Sequence, residues 1–71
     1  MNNSFLVSER TEILTMTIKR IDGYDLDEMT AREQAESQLR NEGRLGGWGG
    51  EWYFSGTIHT NYNEVRVEFT K

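Results

Sequence analysis

Two stretches of strict alternation limit what this chain can fold into. Over 64–70, Val65, Val67 and Phe69 alternate with Glu64, Arg66 and Glu68. Earlier, Leu14, Met16 and Ile18 alternate with Thr15, Thr17 and Lys19. Successive residues of a strand point to opposite faces, so each stretch reads as a strand with one buried side and one wet side. The spacing predicts a first strand over 11–21 and a last strand over 64–70. A third run, over 52–60, sets Trp52, Phe54 and Ile58 with Gly56 on one face, and Tyr53, Ser55, Thr57 and His59 on the other. The turn between the last two strands falls at Asn61-Tyr62-Asn63.

Parity then fixes the expected register. Directly opposed residues share a face, which sets Ile58 opposite Val65, Gly56 opposite Val67 and Phe54 opposite Phe69. On the open side the same register puts His59 beside Glu64 and Thr57 beside Arg66.

Between the first two strands the period changes from two to that of a helix. Ala31, Ala35 and Leu39 form an i, i+4, i+8 stripe. The stripe is narrow and made mostly of small side chains, which suits close approach to a sheet whose own side chains are large. Trp52 and Phe54 are the expected partners. Thr30 and Glu33 have the spacing of a capping box, so the helix is expected over 31–41, with Asp27 as an alternative earlier start. Gly43 supplies a left-handed stop. Arg32, Glu36 and Arg40 recur at helical spacing on another face and can form ion pairs. Leu45 is expected to fold back under the helix end.

Strand, helix, strand, strand in sequence defines a small two-layer α+β domain (β-α-β-β) covering residues 1–71. Its three-stranded antiparallel sheet takes the order 1-3-2, with the helix crossing over right-handedly to cover one face. Phe5-Leu6-Val7 is apolar and could pair with the first strand through a turn at Glu9-Arg10, which no Gly or Asn marks. That extra hairpin stays open here.

A domain of 71 residues gains only about 3–5 kcal/mol from its core unless something staples it. There is no Cys, which excludes disulfides and thiolate metal sites. One His cannot anchor zinc without several carboxylates. The core must pack well, or a second copy must help, so a homodimer stays open. No cofactor is indicated. The net charge of −4 disfavours direct nucleic-acid binding, which needs clustered Lys and Arg. No apolar run approaches a membrane span, and the N-terminus lacks the pattern of a signal peptide. The absence of Cys suits the cytoplasm.

Asp22, Asp25, Asp27 and Glu28 gather four acids ahead of the helix. Tyr24 and Leu26 fall where a calcium loop needs oxygen ligands, so these acids read as a solvated loop that favours the positive helix end. The run from Gly46 to Gly50 holds four of the seven glycines around Trp48. It follows a helix and precedes a strand, the reverse of a phosphate-binding loop, so it reads as a flexible connection. Trp48 is then either an exposed interface anchor or a ring that folds back to complete the core.

A catalytic reading would join His59, Glu64 and a nearby Thr, but an open sheet face offers no pocket or oxyanion hole. A nucleic-acid reading would stack single-stranded bases on Tyr53 and His59 beside Arg66. A protein-binding reading uses Trp48, Tyr62, Tyr53 and His59 as contacts, with Asp25, Asp27 and Glu28 meeting a basic partner.

In size, acidity, lack of Cys and helix-on-sheet layout the chain resembles small phage-encoded inhibitors of the anti-CRISPR type. The likeness is one of layout over the whole chain, not of any single motif. It implies a non-enzymatic, stoichiometric binder that blocks a nucleoprotein complex of the bacterial host, in the host cytoplasm, through its acidic loop and aromatic turns.

Overall fold

The structure, a computed structural model, describes residues 4–20, 26–61 and 63–71, with backbone alone for 4–6. It contains β1 (Ser4–Glu9), β2 (Ile13–Lys19), α1 (Glu28–Asn41), β3 (Tyr53–Asn61) and β4 (Glu64–Thr70). The sheet runs β1-β2-β4-β3 with every neighbouring pair antiparallel. Strands β2, β4 and β3 keep the predicted order, with the last strand in the middle. The three-strand expectation needs one correction, because β1 adds a fourth strand on the free edge of β2.

β1 pairs from Ser4 opposite Lys19 to Glu9 opposite Leu14. Its turn closes when the Arg10 N–H donates to the Ile13 carbonyl at 2.7 Å. Among the described residues no non-glycine takes a positive φ. This turn therefore makes no demand for Gly or Asn, and the sequence carries no punctuation to mark it.

The alternating residues of β2 and β4 bury as predicted. Leu14, Ile18, Val65, Val67 and Phe69 are fully buried and Met16 almost so. Ala31, Ala35 and Leu39 of α1 face them, also buried. α1 packs on β4, β3 and β2, and Leu26, Leu45 and Trp52 complete the core. Phe54 is only partly buried. Its ring meets Phe69 edge-on, 6.2 Å between centroids and 79° between planes. The Arg32 guanidinium lies 3.8 Å above the centroid of the same ring. That cation covers the apolar surface that the narrow alanine stripe leaves open.

The helix takes the alternative earlier start, its N-cap three residues before Thr30. Asp27 is the N-cap, its carboxylate accepting from the Thr30 N–H at 2.7 Å. Thr30 thus lies inside the first turn rather than ahead of it. At the other end Gly43 has φ 72°. Its N–H donates to the Arg40 carbonyl at 3.1 Å and the Arg44 N–H to the Leu39 carbonyl at 2.8 Å. This crossed pair is the glycine stop expected there.

β3 departs most from expectation. Phe54 pairs with Phe69 as predicted, but the register shifts between Phe54 and Gly56 and again between His59 and Asn61. Ser55 and Thr60 are the extra residues. Between these bulges the alternation inverts, so Gly56 opposes Glu68, Thr57 opposes Val67 and Ile58 opposes Arg66. Ile58, expected in the core, is 58% exposed. His59 opposes Val65 instead of Glu64, so it and Thr57 belong to the helix-facing side. A bulge sets two residues against one, which reverses the faces of everything after it. Gly56, inside the strand, is the one local sign of it.

Denaturant titration distinguishes the two registers. Phe69→Ala is expected to cost about 3–5 kcal/mol. Ile58→Ala is expected to cost less than about 1 kcal/mol, because its side chain is already in water. A large loss for Ile58→Ala would restore the unbulged register.

Candidate functional site

The glycine-rich segment is tied down rather than flexible. Leu45 bridges to Trp52 and Gly46 to Gly50. The Gly46 N–H donates to the Trp52 carbonyl at 2.7 Å, and the Trp52 N–H to the Arg44 carbonyl at 3.1 Å. Inside this closure the Trp48 and Gly50 N–H groups both donate to the Leu45 carbonyl, at 3.0 and 3.1 Å. Gly47 and Gly49 take φ 86° and 92°, conformations that side chains with a Cβ rarely adopt. A Cβ on Gly50 would coincide with the Arg44 backbone. These glycines therefore allow close backbone contact and left-handed turning, not mobility.

This loop settles where the tryptophans go. Trp52 is buried, and Leu45 lies beside it in the core. Trp48, at the loop tip, is 62% exposed. The Arg40 guanidinium of α1 sits 5.3 Å over its ring. Trp48 thus does not complete the core. Tyr53 follows the loop on the open sheet face, 57% exposed, its ring lying over Gly46. Arg44 anchors the segment to the rest of the molecule through ion pairs with Glu9 of β1 and, at 3.5 Å, with Glu42.

The remaining candidates do not converge. Asp25 and Tyr62 lie outside the described residues. Asp27 and Glu28 are exposed at the start of α1, and the Asp27 carboxylate is engaged as the helix cap. Hydrogen bonds from the backbone and side chain of Thr30 hold its pKa below the ordinary carboxylate range. His59 is exposed, on the side of the sheet opposite to Tyr53 and Arg66. Glu64 opposes Asn61, accepts from its side-chain amide at 3.2 Å and stands 4.0 Å from Lys19 Nζ. His59 and Glu64 therefore do not form the pair that a catalytic reading needs. Among the described residues no three His, Asp or Glu side chains gather as metal ligands, and no helix is long and apolar enough to cross a membrane.

The open face carries a feature that sequence reasoning missed. A shallow trough of about 360 Å³ is lined by Ser8, Arg10, Ile13, Thr15, Thr17 and Arg66. Thr15, Thr17 and Arg66 were legible as open-face residues. Ser8 and Arg10 join them only because β1 exists, and Ile13 shares the odd parity of Thr15 and Thr17.

In comparisons with known proteins, the chain matches no family model, no curated protein and no solved structure.

Two measurements check the local geometry. Gly50→Ala is expected to destabilise the fold by about 1–3 kcal/mol, read from the denaturation midpoint, because its methyl must displace the Arg44 backbone. An unchanged midpoint would contradict the tight closure. For Asp27 the lowered pKa makes its contribution complete above the ordinary aspartate range and lost as pH falls through the lowered value. Asp27→Ala is therefore expected to lower stability at neutral pH, and its deficit should vanish in strong acid. A deficit independent of pH would exclude the ionised cap.

Proposed function

We propose that this protein is a non-enzymatic protein-binding module that acts by stoichiometric association, with Trp48 as its anchor. The observation that carries this reading is the combination of exposure and order at Trp48. A large ring stands in water at the tip of a loop closed by backbone hydrogen bonds, with a guanidinium over its face. Exposed Trp and Arg are the side chains most often found as interface anchors. A preformed loop loses little conformational freedom on binding, which favours affinity. The acidic helix entry at Asp27 and Glu28 suits a basic partner.

The resemblance to anti-CRISPR inhibitors supplies the partner in this proposal: a bacterial defence nucleoprotein whose basic channel the acidic protein occludes inside the host cell. Affinity capture from a bacterial lysate tests it. The wild-type chain is expected to retain such a complex. Trp48→Ala should fold normally and weaken binding by about 2 kcal/mol or more, roughly thirtyfold, in a titration against the captured partner. Undiminished binding by that variant would remove Trp48 as the anchor.

A further inference from the structure

The open face of the sheet holds a second candidate site, argued independently of Trp48. It rests on where the eight Lys and Arg side chains find partners. Arg44 pairs with Glu9 and Glu42, Arg32 with Glu36 at 3.4 Å, Lys19 with Glu64 at 4.0 Å and Lys71 with Glu51 at 3.7 Å. Arg40 sits over Trp48, and Arg20 donates to Asn63 Oδ1 at 3.4 Å. Arg10 and Arg66 differ from these six. Among the described residues neither guanidinium has a carboxylate, ring or hydrogen-bond partner. Both line the same trough. In an acidic protein that pairs its other cations, two unpaired arginines at one concavity point to an anion supplied from outside.

The strand register sets the spacing of the two arginine backbones. Arg66 lies beside Thr17, while the Arg10 N–H binds the Ile13 carbonyl. Ile13 to Thr17 spans four residues of strand, or about 13 Å. Between these ends lie the hydroxyls of Ser8, Thr15 and Thr17. An extended peptide with carboxylates at i and i+4 has the same spacing and turns both onto one face. Each carboxylate can take a two-pronged hydrogen bond from an arginine.

We propose that this trough binds an extended acidic segment of a partner protein, with one carboxylate at Arg10 and the second, four residues away, at Arg66. Charge favours a short acidic segment over a nucleic-acid backbone. The chain carries −4 overall. Glu68 lies opposite Thr15, and Glu64 opposite Lys19, on the same face. A polyanion would meet those carboxylates, and Tyr53, the open-face ring next to the loop, is not part of the trough lining.

Fluorescence anisotropy with a labelled Gly-Glu-Thr-Ser-Thr-Glu-Gly peptide, at low salt, tests the site. The peptide should bind, and its counterpart with both Glu replaced by Gln should not. Arg10→Ala and Arg66→Ala, both exposed changes that leave the circular dichroism unaltered, should each weaken binding about tenfold. Arg66→Glu should weaken it further. Absence of binding, equal binding of the Gln peptide, or full binding by the Ala variants would overturn the proposal. So would tighter, arginine-dependent binding of a labelled oligothymidylate. The peptide assay needs no cellular partner, so its failure and the failure of capture through Trp48 remain distinguishable.

Discussion

The structure depends on how closely α1 can lie on the sheet. Ala31 and Ala35 present only methyl groups, and both are fully buried against strands that carry Met16, Val67 and Phe69. Large residues on the sheet and small ones on the helix fill the layer between them at the density a protein interior needs. The stripe is too narrow to cover the width of the sheet. Arg32 extends the cover by lying over Phe54, while Leu26 and Leu45 close the two ends of the layer. With no disulfide to constrain the unfolded chain, this packing has to carry the stability.

The way the helix stops directs the path of the glycine-rich loop. The glycine stop at Gly43 turns the chain so that the Arg44 carbonyl receives the Trp52 N–H. That bond draws the two ends of the loop together and places Trp52 in the core. The same closure leaves Trp48 at the tip, in water, beside Arg40. One glycine-rich segment thus sets the places of both tryptophans, one packed in the interior and the other exposed at the surface. On the far side of the sheet no helix among the described residues covers β2 and β4, and the hydroxyls and guanidinium groups there stay accessible.

Much of this architecture was legible in the residues. The alternation of Leu14, Met16 and Ile18, and of Val65, Val67 and Phe69, named two strands and their buried faces. The spacing of Ala31, Ala35 and Leu39 named the helix and the side it buries. Gly43 marked the stop. These are local signals, because each depends on the period of one segment against one layer. The helix start was harder to place, since Asp27 and Thr30 both offer a capping oxygen and only the backbone geometry chooses between them.

What the chain determined by itself is therefore the period of each segment and the side it buries, because those depend on side-chain directions within a few residues. Only the tertiary structure decided that β1 joins the sheet, that Ser55 and Thr60 bulge, and that Ile58 and His59 exchange faces. Bulges and edge strands are properties of two paired segments, and a single run of alternation cannot report how its partner is counted. The same holds for the candidate sites. Arg44 meets Glu9 from 35 residues away, and Arg10 and Arg66 reach one trough from opposite ends of the chain. Which cations are neutralised and which stay free is settled by that long-range arrangement, and no local pattern of charge encodes it.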